Sequence, residues 1–463
     1  MDIGINNIFN IIKKIKNDDL FRSGSTVFIA IVISSAFFYI NNIVLGRILG
    51  TAAYGELGAL FALTLFLQFI LLRSVTIIEA RSISKLKGLG KSQIISNFHK
   101  KILIYITTVG IVAFVIFLLM SEQIAFFLQI ESVLLVILTG IVFLFWWPIS
   151  VNCGTIQGLQ RFNQVAIMNI LPALLKFIFS IGLVMIGFRI FGAIGGLVIG
   201  NAVTLIISFY LLKDIVKFPV LNFFSKGNKN QNKFLSNFNQ TGLFSNEKIT
   251  DIKEVYKFLI PVLFAVICIA IPTNIDVVLI KHFFTNEDTG LFTAVTVFGR
   301  MIFAFPLAIV TVMFPKIVEI HTKKEDTKDT LNRSLLYTLI PTGLIVILFY
   351  TLPKFFIGIF FGDEYINAAP LLQLYVFFIF FSSLVTVLLY NSLAKNRYLY
   401  VYIFTAFSVL EIGLIWFYHS SITFIIEIFL IINIISFIIG ICINYVNIEL
   451  KIGNRKNKIN LIK

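Results

Sequence analysis

Residues 23–78 read SGSTVFIAIVISSAFFYINNIVL, then GRILGTAAYG, then ELGALFALTLFLQFILLRSVTII, two apolar runs joined by a short polar turn. About 20 residues at a rise of about 1.5 Å cross the ~30 Å hydrocarbon core of a bilayer as a helix. A backbone in lipid has no water to bond with, so runs of this length must pair their own amides as helices. A spanning barrel would instead show segments of about 10 alternating residues. The stretch predicts a helical hairpin through a membrane.

The pattern recurs to the other end of the chain. Apolar runs fall at about 23–45, 56–78, 102–120, 132–152, 164–187, 190–212, 256–280, 290–314, 334–352, 370–392, 399–418 and 422–446. Of the 463 residues 58% are hydrophobic and 13% charged, and the mean hydropathy is +0.94. So few charges cannot cover so apolar a core in water, which excludes a soluble enzyme, a nucleic-acid binder and a disordered chain as readings of the whole. The predicted class is an all-α polytopic membrane protein with about twelve transmembrane helices.

The net charge of +15 is a matter of placement. With the N-terminus on the cytoplasmic side, 31 of the 38 Lys and Arg fall in inside segments, four (Arg47, Arg189, Lys281, Lys354) outside and three within spans. By the positive-inside rule both termini are expected in the cytoplasm. The first residues show no cleavable signal. Ile5, Ile8, Phe9 and Ile12 share one helical face ahead of Lys13, Lys14 and Lys16, as in a surface-lying helix. Cys153, Cys268 and Cys442 sit in or beside apolar spans and read as small buried hydrophobes.

The organisation expected is an amphipathic cytoplasmic segment (1–22), a six-helix bundle (23–212), an Asn- and Lys-rich cytoplasmic linker (213–255), a second six-helix bundle (256–446) and a basic tail (447–463). The two halves echo each other. Gly46-Arg47-Ile48-Leu49-Gly50…Tyr54-Gly55 after the first span corresponds to Lys281 through Gly290-Leu291-Phe292 after the seventh. Asn152 through Gln157-Gly158-Leu159-Gln160-Arg161-Phe162 after the fourth corresponds to Asn391 through Ala394-Lys395-Asn396-Arg397-Tyr398 after the tenth. Six spans is an even number, so the halves share one orientation and are expected to enclose a central cavity.

Those two motifs, with Asn274-Ile275-Asp276 in the seventh span and Phe314-Pro315-Lys316 closing the eighth, resemble the polysaccharide transporter family over about residues 20–446. That family belongs to the multidrug/oligosaccharidyl-lipid/polysaccharide (MOP) exporter superfamily, with the lipid-linked peptidoglycan-precursor flippases and the multidrug and toxic compound extrusion (MATE) antiporters. The resemblance implies a MATE-like fold and movement of polyprenyl-diphosphate-linked oligosaccharide between leaflets by alternating access. Abundant Ile, Phe, Asn and Lys point to an AT-rich genome and so to a bacterium or archaeon, and the expectation is a multi-pass protein of a prokaryotic plasma membrane, acting as a monomer beside glycosyltransferases or a glycan polymerase.

Ionisable groups inside a bilayer cost about 2.5–3.5 kcal/mol each on insertion scales and mark function by default. Six lie within the spans: Arg73, Lys176, Asp276, Arg300, Glu411 and Glu427. Arg300 and Lys176 are the deepest, and cations converging on a cavity suit a diphosphate. Arg73 and Arg47 are candidates for guiding the same headgroup, with snorkelling and interface anchoring as their alternatives. Asp276 and Glu411 are candidates for coupling to Na⁺ or H⁺, Asp276 also for pairing with Arg47 or Lys281, and Glu427 reads as interfacial. Pro148, Pro172, Pro261, Pro272, Pro306 and Pro341 fall within apolar spans, where kinks are routine.

Three functions compete. A lipid-linked oligosaccharide flippase needs a cationic path and no covalent chemistry. A drug or cation antiporter needs an acidic, aromatic site, whereas the deepest charges here are basic. A membrane enzyme needs a general base, and His99, His282, His321 and His419 all fall in loops or at span ends. No cofactor, no nucleic-acid partner and no enzymatic activity are expected.

Overall fold

A computed structural model describes residues 19–88, 92–215, 274–323 and 325–446. The surface helix expected within 1–22, most of the linker and the seventh span, Pro261, Pro272, Cys268 and the tail lie outside the described residues.

All regular structure among the described residues is helical: α1 (Asp19–Gly88), α2 (Ser92–Leu119), α3 (Ser121–Phe127), α4 (Val133–Gly158), α5 (Phe162–Leu183), α6 (Arg189–Leu211), α7 (Asp276–Phe283), α8 (Asn286–Thr322), α9 (Lys328–Thr351), α10 (Pro353–Phe361), α11 (Ala369–Ala394), α12 (Leu399–Phe417) and α13 (Ile422–Val446). Nine helical stretches among these residues are long and apolar enough to cross a membrane. Two of them, Ile29–Gln68 and Phe162–Leu211, are broken at Gly50 (φ 76°) and Gly187 (φ 106°), left-handed conformations that glycine adopts without a Cβ penalty. Each holds two spans, so eleven are described, and the remaining expected span, 256–280, lies largely outside. The chain is a multi-pass membrane protein. Bulky apolar side chains such as Ile104, Val312 and Phe417 stand exposed, as lipid-facing surfaces require.

Helices overshoot the apolar runs. The helix over the third span begins at Ser92 and that over the ninth at Lys328, because a helix continues into the headgroup region wherever its polar side chains reach water. Two short helices, α3 and α10, occupy connections between spans.

The described chain forms two compact units. One comprises the described residues up to 45 and from 67 to 215, the other those of 46–66 and from 274 to 446. In the first, α5 packs along α6, and α4 packs against both α2 and α6. Gly192, Gly196 and Gly200 press α6 onto the α5 backbone at Leu183, Ser180 and Lys176, the small-residue packing that lipid favours. In the second, α11 is central, packed by α8, α9 and α13. Its buried residues encircle the helix, as expected of a helix enclosed on all sides.

The sequence echoes are geometric. Gln160 (φ 61°) and Asn396 (φ 55°) are both left-handed, and each ends its helix in the same two-bond cap. Arg161 N–H donates to the Ile156 carbonyl and Gln160 N–H to Gln157, while Arg397 N–H donates to Ser392 and Asn396 N–H to Leu393. This is the Schellman arrangement. Further back in each helix, Asn152 Nδ2 donates to Ser208 Oγ at 2.7 Å and Asn391 Nδ2 to Asn444 Oδ1 at 2.6 Å. Each half thus clamps its fourth helix to its sixth with a buried asparagine.

Candidate functional site

The polar residues of the second unit converge on the start of α7. Asp276 is fully buried in the first turn. Its Oδ1 accepts the Val277 N–H at 2.8 Å and its Oδ2 accepts the Tyr375 hydroxyl of α11 at 2.9 Å. Gly299 of α8 makes room for that tyrosine, since a Cβ there would overlap the ring. The next residue, Arg300, is half-buried near the middle of α8. Its charge acts on Asp276, Tyr375 and Tyr54 alike.

Glu411 of α12, only 2% exposed, lies within electrostatic reach of Asp276. Asn433 Nδ2 of α13 donates to its Oε1 at 3.5 Å and to the Phe429 carbonyl at 2.9 Å. The Asn433 amide oxygen is buried and accepts no hydrogen bond among the described residues. Three of the residues singled out in the sequence, Asp276, Arg300 and Glu411, therefore share one buried neighbourhood. Tyr375 and Asn433 complete it.

The others stand elsewhere. Lys176 of α5, in the first unit, is half-buried with its ammonium 5.5 Å from the centre of the Phe38 ring of α1, within cation–π range. Arg47 caps α10: Nε donates to the Phe360 carbonyl at 2.8 Å, and Nη2 reaches the carbonyls of Gly358 and Ile359. A cation on the orphan carbonyls of a helix C-terminus is a structural contact, and Asp276 bonds to Tyr375 rather than to Arg47 or Lys281. Arg73 lies on α1, but its side chain is outside the described residues. Glu427 is exposed on α13.

One expectation is corrected. His99 is not a loop residue at a span end; it lies in α2 and is fully buried, because α2 begins before its apolar run. It meets Glu79 of α1, 2% exposed, and Thr155 of α4. Glu79 escaped the sequence reading because it stands beside Arg81 at the start of a basic stretch. The available signal was Gly154-x-x-x-Gly158 in an apolar helix, a mark of close helix approach. The Glu79 side chain fills the space beside Gly154.

The family model described as "Polysaccharide biosynthesis protein" matches residues 20–321. The chain belongs to that family. No curated protein sequence matches it closely. Its fold is that of solved MOP-superfamily transporters. An inward-facing multidrug resistance MATE transporter matches with a TM-score of 0.65 at 14% identity, over 88% of this chain and 93% of the other. The lipid II flippase MurJ in an inward closed conformation matches with a TM-score of 0.66 at 16% identity, over 91% and 87%. A Pyrococcus furiosus MOP transporter, described as having a binding pocket of reversed polarity, matches with a TM-score of 0.57 at 14% identity, over 90% and 94%. The family and these neighbours are transporters and biosynthesis proteins of the membrane.

Proposed function

We propose that this family member is a flippase. It would carry a polyprenyl-diphosphate-linked oligosaccharide, a surface-polysaccharide repeat unit, from the cytoplasmic to the outer leaflet of a prokaryotic plasma membrane by alternating access. Both termini would face the cytoplasm, as the Lys and Arg distribution requires, and the protein would act as a monomer beside the glycosyltransferases or polymerase of its pathway. The observation that carries the reading is Arg300, a guanidinium kept half-buried at the middle of an apolar helix in a chain of the polysaccharide biosynthesis family. A diphosphate crossing a low-dielectric path needs such a counter-charge, and bidentate guanidinium contacts supply it. Lys176 and Arg73 are the further candidates for the headgroup, while Arg47 would act only indirectly, by fixing α10.

Coupling would use Asp276 and Glu411. Two buried carboxylates with an amide oxygen from Asn433 present hard oxygen ligands to Na⁺, or a pair of carboxylates able to hold a proton in place of a metal ion. Burial of two like charges together is costly, so one cation at this place lowers the energy of the whole cluster.

The test is reconstitution of the purified protein in liposomes with a labelled polyprenyl-diphosphate sugar. Wild-type protein should move the label between leaflets, Arg300→Ala should slow it at least tenfold, and Asp276→Asn should remove dependence on the ion gradient. If no label moves, or if Arg300→Ala moves it as fast as wild type, the reading fails. An ion-coupled multidrug or cation antiporter on the same fold is the second reading, favoured by the acidic Asp276–Glu411 pair. Efflux of a cationic dye that disappears in Asp276→Asn would select it.

A further inference from the structure

The first unit holds a buried acid–base cluster that the transport reading does not use. Thr155 Oγ1 donates to Glu79 Oε1 at 3.1 Å. His99 Nδ1 lies 2.8 Å from Thr155 Oγ1 and 3.8 Å from the same carboxylate oxygen. The hydroxyl has one proton, given to Glu79, so it accepts from His99 and Nδ1 carries the hydrogen. That leaves Nε2, which is buried and meets no donor or acceptor among the described residues.

Three helices converge here without slack. A Cβ on Gly154 would sit 2.6 Å from the Glu79 Cβ and 2.8 Å from the Thr76 carbonyl oxygen, so α1 and α4 are in backbone contact at the carboxylate. Other titratable groups with described side chains stand on the same three helices or at their ends. Arg81 and Lys101 are exposed and Lys100 is half-buried. Lys87 donates to the Leu159 carbonyl at 2.8 Å. Cys153 of α4 is a half-buried free thiol, and Arg161 and Asp214 pair with each other.

We propose that Glu79, Thr155 and His99 form a proton-binding site, separate from Asp276 and Glu411, that takes up one proton at His99 Nε2. With Glu79 ionised and His99 neutral the cluster is a buried net anion, which burial penalises. One added proton makes the cluster neutral overall, an imidazolium bridged through Thr155 to a carboxylate, and a second would make it a buried cation. The site therefore exchanges one proton and not two. Proton uptake would strengthen the α1–α4 contact in the first unit whatever cargo the chain carries.

Its test does not depend on the cargo. Replacing His282, His321 and His419 with Gln leaves His99 as the one histidine, and ¹⁵N-histidine NMR of that protein in nanodiscs reads its ring directly. The ring should pass from one protonated nitrogen to two as pH is lowered across the range in which the protein stays folded. Glu79→Gln should abolish that step or move it to lower pH, Thr155→Ser should preserve it, and Thr155→Val should shift it. A ring that stays in one form across the range in folded protein, or a step indifferent to Glu79→Gln, overturns the proposal. Should no glycolipid move while the step is intact, the flippase reading falls and the proton site stands.

Discussion

Gly55 of α1 and Gly290 of α8 cross with no side chain between them. A Cβ on Gly55 would overlap the Asn286 carbonyl oxygen and sit 2.6 Å from the Gly290 amide nitrogen, and a Cβ on Gly290 would overlap the Thr51 carbonyl oxygen. The two glycines hold corresponding places in the echoed turns of the two halves, so the repeated motif packs against its own copy inside the second unit. Gly58 repeats the contact one turn on, against Thr293.

Gly290→Ala forces backbone apart. Overpacking costs about 1–3 kcal/mol, so the melting temperature in detergent should fall by several degrees. Gly413→Ala in α12 is the contrast: nothing lies within 4 Å of its added methyl, and alanine is the better helix former by about 1 kcal/mol. That variant should melt at or above the wild-type temperature.

Asn444→Leu removes an acceptor shared by Asn391 Nδ2 and, at 3.0 Å, Ser392 Oγ. A stranded buried donor costs about 1–3 kcal/mol, so this variant should lose more stability than Ser208→Ala, which strands only Asn152 Nδ2. Thermal unfolding followed by tryptophan fluorescence gives the order, and equal losses would remove the shared acceptor as its cause.

The repeat was legible in the sequence because each copy must bend at a defined place. Gln160 and Asn396 each end the fourth helix of their half a few residues after a buried asparagine, Asn152 or Asn391, and polar residues that end apolar runs are visible without coordinates. Arg300, Asp276 and Glu411 were legible for the opposite reason, as charges where lipid penalises charge. Tyr375 and Asn433 were not, since a tyrosine or asparagine in an apolar helix has many ordinary uses and only the fold brings Tyr375 to Asp276 across 99 residues. His99 was misread because hydropathy marks the lipid-immersed part of a helix, and α2 starts well before that part.

Arg161 and Asp214 form an ion pair beyond the spans. Nη1 donates to Oδ1 at 3.0 Å, and these hydrogen bonds hold the Asp214 carboxyl below its ordinary value. A lowered folded value stabilises above the unfolded one, about 3.9, and that stabilisation is lost as pH falls through the folded value. Asp214 is 52% exposed, so the pair contributes under about 1 kcal/mol. Asp214→Asn should lower the melting temperature slightly at pH 7, with the difference closing below about pH 4.

Arg47→Ala should destabilise α10 by about 1 kcal/mol, the value of a hydrogen bond or two at a helix end, and Arg47→Lys should recover part of it. Hydrogen exchange of residues 353–361 reads the effect where it arises. Protection unchanged in Arg47→Ala would remove the cap.

Arg47 and Phe360, whose side chain–backbone bond closes α10, are 313 residues apart. At about 5–20 residues per second, a ribosome makes the carbonyl roughly 15–60 s after the guanidinium. Residues 46–66 belong with partners not yet synthesised when they enter the bilayer. The first hairpin must therefore wait, inserted but without its final neighbours, until the second half emerges to claim it.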